Sequence, residues 1–578
     1  SLSLSLFLSF SLSLSRSRAL SLSLFLLFLV TLYSSSSMQR RTLLNHQKAK
    51  VCVGDDLLDQ MFQFVRRCGA QLIFALNIEA EQIESQRGRM LAALMASCAR
   101  VESEFHAKRL RRIRAGNSGA RGGASSAVQK WSLPETAARD CSLLFALELG
   151  NEEEKNMKAQ TAGRLFAKLA KSRDRFAPGA LIAGPDPHSF HYGGQEMGSK
   201  LQWMNTFLAE IRASEKRHDD DDDDDDDDGE AVEAAGINNN ILDALTYHEY
   251  LNVEGRTAMD ASFNSQVDTI AQTMQMVIAA HDEARGSLTA HSRRTKTELW
   301  GGEIGPHNGG GAVSGVWAAA FLYTNTLGSL ALRGHTVLLT QELTDRSDAH
   351  YSYAAIDERA KIDARSGEVF DVIDLRPTFW VAMFWRRLMG RTVLSVNIKT
   401  PNSRRGSPEG ESFGEDGIVA QQHCADAEAE KAHSRVESGS FCLRVYAHCS
   451  QLVAENVGET SISFAVVSLS RSHAIDLDLS SVVGADHSAS AKAKSVDVWE
   501  LSGGVNGLRS DMVFLNDNGV ALRSLDAVRF STDPYALARS AKSAESDVVG
   551  IRPGRIVFIR ATYASSDDSS LAAACGMN

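Results

Sequence analysis

The chain has 578 residues, of which 43% are hydrophobic and 23% charged. Those proportions exclude a multi-span membrane protein, a collagen-like fibre and wholesale disorder, and the length suits two domains with added segments. The formal net charge is −11, but an unbroken run of ten Asp at Asp219–Asp228 accounts for all except one of those charges. The near-neutral body points away from nucleic acid as a partner.

In chain order, residues 1–50 open with an almost strict Ser/Leu alternation through Leu24, followed by an apolar run from Leu20 to Tyr33 and small residues at Ser34–Ser37. Two readings stand. One is a crude export signal. The other is a translated dinucleotide tract, with Met38 as the start of the protein. From Val51 to about Gly390, short apolar runs alternate with helical patterns. The runs are Gln71–Leu76, Leu143–Leu149, Ala180–Ala183, Leu242–Tyr247 and Val337–Thr340, each of strand length. Between them, Phe263, Val267, Ile270, Met274 and Val277/Ile278 recur at helical spacing, and Val316–Leu332 forms another such segment. Strands alternating with helices predict parallel βαβ pairing and an α/β barrel over 51–390. Over 391–578 the pattern becomes short β-type runs separated by Gly, Asn, Asp and Ser: Cys442–Tyr446, Ser461–Val467, Ala474–Leu479, Val496–Leu501, Met512–Leu515 and Arg555–Ile559. That predicts a β-sandwich.

Three stretches read as inserted surface loops: the basic, Gly-rich Lys108–Gly123, the acidic His218–Glu230, and the polar Ser403–Arg435. They place insertions near 100–130, 214–236 and 403–435. The Asp run lacks the defined ligand spacing and turn glycine of a calcium loop, and the Arg cluster lacks interleaved aromatics for stacking bases. Eight Cys, none in a CxxC pair, match neither a disulfide scaffold nor a zinc or thioredoxin-type pattern.

Barrel enzymes keep their chemistry at the C-terminal ends of strands. Leu143–Leu149 runs into Asn151-Glu152, and Glu298–Gly302 runs into Glu303. Two carboxylates at the ends of two strands are what a glycosidase needs, one to protonate the leaving oxygen and one to attack the anomeric carbon. Glu152, in the stretch NEEEK, also fits the acidic first turn of a helix, and both readings remain open at this level.

Seven motifs then carry a resemblance. They are Gly69–Asn77 (GAQLIFALN), Leu147–Glu152 (LELGNE), Ala183–Asp186 (AGPD), Asp243–Asn252 (DALTYHEYLN) with Gly255–Ala258 (GRTA), LWGGE with Gly309–Gly311, Phe384–Gly390 (FWRRLMG) and Leu443–Cys449 (LRVYAHC). In this order they resemble the heparanase-like proteins of glycoside hydrolase family 79. The resemblance implies a (β/α)8 TIM barrel carrying a C-terminal β-sandwich, acting as a retaining β-glucuronidase on a glucuronic-acid-containing glycan, with no metal and no cofactor. It implies Glu152 as general acid/base, Glu303 as nucleophile and Asn151 as the hydrogen-bonding partner of the sugar 2-hydroxyl. His248 and Tyr250 fall on a strand lining the sugar site, Arg256 lies in the GRTA motif beside it, and Gln341 ends the last barrel strand. Gly309, Gly310 and Tyr353 match the groups that hold the uronate carboxylate, since glycine lets backbone donors approach an anion closely. Gly309–Gly311 also reads as a flexible loop, and Tyr250 as core packing. Cys449 and Cys575 match a disulfide that ties the chain end to the sandwich. Such a bond suits a secreted or lysosome- or vacuole-like compartment, with any membrane association through the endomembrane system. The sequence holds no Asn-x-Ser/Thr sequon.

The chain departs from the family pattern in four ways. Glu153 stands where Pro follows the acid, Pro187–Met197 carries no Lys or Arg, and Arg256 is a thin basis for binding a sulfated chain. The last two favour a glucuronide less sulfated than heparan sulfate. Finally, the first two barrel strands have no counterpart ahead of Gly69, which predicts either a missing N-terminal segment or a separate partner chain. A truncated, non-catalytic glycan-binding homologue is the alternative function. A related barrel glycosidase acting on neutral sugars is a third reading.

Overall fold

The computed structural model describes residues 6–7, 29–30, 55–68, 71–76, 91–105, 107–108, 141–150, 152, 154, 157–188, 196–221, 240–250, 265–286, 296–305, 313–340, 344–345, 354–362, 369–396, 443–452, 459–468, 474–479, 482–483, 490–491, 493–523, 526–527, 529–530, 536–544, 547–564 and 575. The chain forms two compact units that interleave in sequence. The first comprises 1–249, 273–304 and 335–341, and the second 250–272, 305–334 and 342–578.

Six parallel strands build the first unit: β1 (Leu72–Leu76), β2 (Leu144–Leu149), β3 (Leu181–Gly184), β4 (Ala244–Tyr250), β5 (Glu298–Gly305) and β6 (His335–Thr340), hydrogen-bonded in chain order. This is a partial (β/α) barrel, with the alternation that the apolar runs predict. β2 and β4 are buried at every position, as strands covered on both faces should be. At the β1 edge, Leu6–Phe7 adds a two-residue antiparallel ladder opposite Ile73 and Phe74, and Leu29–Val30 pairs beyond it.

Helices α1 (Asp55–Cys68), α2 (Ala159–Phe176), α3 (Glu196–Asp221) and α4 (Ser265–Gly286) alternate with the strands. Leu58, Met61, Phe62 and Val65 are buried on α1, an i, i+3, i+4, i+7 stripe. On α2 the buried Ala159, Ala162, Gly163, Phe166, Leu169, Ala170 and Arg173 do the same. A Cβ at Gly163 would lie 2.7 Å from the Glu210 Cβ, so that glycine lets α2 approach α3 closely. α3 runs through Asp221, so the first three Asp of the acidic run are helical, against the expectation of a loop from His218. The i→i−4 bonding carried along a 26-residue helix outweighs the unfavourable carboxylates at its C-terminus. Cys98 and Cys141 are disulfide-bonded, a pairing the sequence reading did not anticipate.

The second unit holds α5 (Trp317–Leu332), a hairpin of β7 (Ile356–Ile362) and β8 (Val369–Leu375), α6 (Pro377–Leu388) and an antiparallel sheet. That sheet runs β9 (Met389–Leu394), β10 (Leu443–Ser450), β11 (Glu459–Ser468), then β13 (Ile556–Ala564) beside β12 (Ala493–Ser502). Alternate residues feed two cores. From β13, Ile556 and Phe558 join Trp317, Trp380 and Trp499 in a core with α5 and α6. Val557, Ile559, Ala561 and Tyr563 face a second core, which includes Val549 and Ile551 of the small sheet that pairs Ile475–Asp478 with Val548–Ile551. The sandwich layer opposite the main sheet is therefore small, and the two helices cover the other face. Cys449 and Cys575 are disulfide-bonded, with Cα atoms 5.6 Å apart. Among the described residues no helix is long and apolar enough to cross a membrane.

Candidate active site

The C-terminal ends of β2, β3, β4 and β5 bring five ionisable side chains together, all within the first unit. Backbone bonds set the frame. Glu152, just past β2, and Asp186, just past β3, both have left-handed backbone, with φ of 57° and 51°, a conformation that non-glycine residues rarely adopt outside sites that need it. The two corners are tied together, since the Glu152 N–H donates to the Asp186 carbonyl at 2.8 Å. The His248 N–H donates to the Pro187 carbonyl at 3.0 Å, and the Asp186 N–H donates to Thr246 Oγ1 at 3.1 Å. Three strand ends are thus held in register before any side chain acts.

His248 is the hub. It is fully buried, and its Nδ1 lies 3.0 Å from Glu303 Oε2 and 3.3 Å from Glu152 Oε1. Its Nε2 faces Asp186 Oδ1 at 3.5 Å, an ion-pair distance rather than a well-formed hydrogen bond. Glu303 is 7% exposed, whereas the Glu152 side chain keeps 27% of its surface open and also has His188 Nε2 at 3.6 Å. The His188 N–H donates to Glu154 Oε1 at 3.2 Å. One carboxylate oxygen each of Glu152 and Glu303 and one ring nitrogen of His248 all lie within 4.8 Å of one another.

Electrostatics follow from burial. Burial alone would lower the His248 pKa, yet the Glu303 and Asp186 carboxylates raise it well above the ordinary histidine value. Burial would raise Asp186, but His248 and Glu148 hold it below the usual carboxylate range. Glu148, inside β2 and fully buried, is pushed well above that range by burial and by the Asp186 carboxylate beside it. Gly302 makes room for this cluster, because a Cβ there would lie 2.0 Å from Asp186 Oδ1.

The structure thus gathers Glu152, His248 and Glu303 at one point. Tyr250 is buried at the end of β4. Asn151, Arg256, Gly309, Gly310, Gln341 and Tyr353 lie outside the described residues. Sequence reasoning assigned no role to Asp186, Glu148 or His188. Asp186 was in view as the last residue of AGPD at a strand end, and Glu148 as a lone charge inside the apolar run LFALEL.

A curled parallel sheet with a carboxylate pair at its C-terminal end defines a glycoside hydrolase-like protein. No model of a protein family matches the chain. It is 26% identical over 310 residues to the heparanase of Mus musculus, a match covering 52% of this chain and 44% of that protein. It is 28% identical over 166 residues to the heparanase of Gallus gallus, covering 28% and 27%. The chain spans less than half the length of the curated relatives it matches. Among solved structures, a family 44 xyloglucanase from Paenibacillus polymyxa is 12% identical with a TM-score of 0.37, covering 73% of this chain and 67% of that one. A 4-O-α-L-rhamnosyl-β-D-glucuronidase from Fusarium oxysporum is 10% identical with a TM-score of 0.31, covering 72% and 76%. Likenesses this slight add nothing to what the strand topology already says. Over part of its length the chain is a distant homologue of heparanases.

Proposed function

We propose that the protein is a retaining glycosidase that cleaves β-glucuronide linkages in a glycan. The closeness of Glu152 and Glu303 carries this reading: oxygens within 4.8 Å suit a double-displacement mechanism, where carboxyl groups stand about 5–5.5 Å apart, and leave no room for the water of an inverting one. In the first step a Glu303 oxygen bonds to the anomeric carbon while the glycosidic C–O bond breaks, and Glu152 gives its proton to the departing oxygen. Glu152 then takes a proton from water, which attacks the same carbon and releases Glu303. The unequal exposure of the two groups favours this division of labour. The open Glu152 can exchange a proton with water, and the enclosed Glu303 can meet only a sugar pressed against it.

The uronate preference is supported by the resemblance to family 79 and by the relatives' identity as heparanases, with Gly309, Gly310 and Tyr353 as the proposed carboxylate partners. A second reading, a glycan-binding homologue without turnover, is favoured by the six parallel strands among the described residues, where a closed barrel has eight. A chromogenic β-glucuronide assayed beside the matching β-glucoside separates the readings. Hydrolysis of the glucuronide, abolished in Glu303→Gln and lowered by orders of magnitude in Glu152→Gln with the fold intact, is the expected result. Faster cleavage of the glucoside would overturn the uronate assignment, and full activity in either variant would overturn the roles of the carboxylates.

A further inference from the structure

Behind the two reacting carboxylates lies a second pair that the proposed mechanism does not use. Glu148 and Asp186 are both 0% exposed. Each keeps both carboxyl oxygens buried without a hydrogen-bond partner of good geometry. Two such groups side by side in an apolar strand layer cannot both ionise without a large desolvation and repulsion penalty, so they hold one proton between them. Among the described residues the cation that faces them is His248, whose Nε2 stands 3.5 Å from Asp186 Oδ1. The other titratable groups facing that ring come from two further strand ends: Glu152 after β2 and Glu303 on β5.

We infer that Asp186 and Glu148 are positioning residues: a one-proton carboxyl pair in which Glu148 carries the proton and Asp186 the charge, fixing His248 as an imidazolium whose Nδ1–H points at Glu303 and Glu152. The assignment rests on Glu152 and Glu303 being the reacting pair. Directions agree with the geometry, since Glu148 is raised, Asp186 lowered and His248 raised. A fixed cation between the two carboxylates does two things. It sets a positive charge 3.0 Å from the Glu303 carboxyl, and, anchored from behind by Asp186, it keeps Nδ1 between both groups when one gives up its proton. Gly302 belongs to the same device, because any side chain there would collide with Asp186.

The test is the ionisation of the His248 ring itself, followed by nitrogen NMR of the full-length protein with labelled histidine and assigned through His248→Gln. In the unaltered chain the ring stays doubly protonated through pH 7.5, above the ordinary midpoint of about 6.5. Asp186→Asn moves its midpoint down by about one unit or more, the equivalent of a tenfold change in proton affinity. Glu148→Gln leaves the midpoint where it was, because a neutral amide replaces a neutral acid. A midpoint near 6.5 in the unaltered chain overturns the inference, as does an unmoved midpoint in Asp186→Asn. A large shift in Glu148→Gln overturns the placement of the proton. If Asp186→Asn does not fold, the other two titrations still decide. All of these readouts are independent of turnover, so an inactive protein with a persistent imidazolium would sink the proposed reaction and leave this inference standing.

Discussion

The two ends of the same parallel sheet bury charge in opposite ways. At the N-terminal ends of the strands, Arg173 Nη1 donates to Asp243 Oδ2 at 3.1 Å and its Nη2 to the Asn240 carbonyl at 2.8 Å. Asp243 also accepts from the Ile182 N–H at 2.8 Å and from Asn240 Nδ2 at 3.1 Å. Arg285 Nη2 donates to Glu215 Oε1 at 2.9 Å and to Asn240 Oδ1 at 2.6 Å. Cations there meet anions, and each carboxylate accepts from two or more donors. At the C-terminal ends, four carboxylates gather around His248, and the oxygens of Glu148 and Asp186 lack donors of good geometry. A network with its hydrogen bonds made rigidifies a fold, whereas one left partly unmade is costly unless it does something else. The difference supports the proposal that the chemistry takes place at the C-terminal end.

That contrast can be broken at several points. The largest effect is expected at the reacting pair, where Glu303→Gln abolishes detectable turnover of a glucuronide and Glu152→Gln lowers kcat by about 10²–10⁴-fold, as for a lost general acid. Both variants should melt within a few degrees of the parent by calorimetry. Asp243→Ala should do the reverse. Removing the Asp243 carboxylate from buried Arg173, which keeps Asp174 Oδ1 at 2.6 Å, costs up to about 3 kcal/mol in denaturant unfolding, while the activity of the molecules that remain folded is kept.

A sharper comparison uses two buried histidines of the first unit. His248 has a raised pKa, so the stability it contributes is fully present below the unfolded value near 6.5 and is lost as pH rises through the folded value. His281, buried and 2.9 Å from Arg212 Nη1, is pushed down to about 3 by burial and by Arg212 and Arg285. Its contribution is present above about 6.5 and is lost as pH falls toward 3. Unfolding free energy followed against pH should therefore lose its alkaline decline in His248→Gln and part of its acid decline in His281→Gln. The smallest effect is expected at Arg217, which is 59% exposed and bonded to Glu210 at 3.0 Å. Arg217→Ala should change stability by less than about 1 kcal/mol.

Much of this was legible in the sequence. The apolar runs gave five of the parallel strands, because strands buried on both faces are nearly continuous in Leu, Ile, Ala and Phe. The β-type runs after Gly390 correspond to strands because each is bracketed by turn residues. The hairpin Ile356–Leu375 escaped, since IDERAKI and VFDVIDL alternate charge with apolar residues too irregularly to stand out. The helix at Pro377–Leu388 had only its FWRRLMG end in view, although Pro at its first position was a start signal. At the site, Glu152, His248 and Glu303 were found through motifs. Asp186 and Glu148 were not, because their importance lies in a burial and a mutual proximity that only the folded sheet creates.

The central claim is that Glu303 becomes covalently bonded to the sugar. The direct measurement is intact-mass analysis after incubation with an activated 2-deoxy-2-fluoro-β-glucuronide, whose electron-poor ring slows release of the intermediate. The account predicts a mass gain of one fluoroglucuronosyl group, located by peptide mapping on Glu303 and absent from Glu303→Gln. A folded protein that hydrolyses glucuronides yet gains no mass, or carries the adduct on another residue, would contradict it.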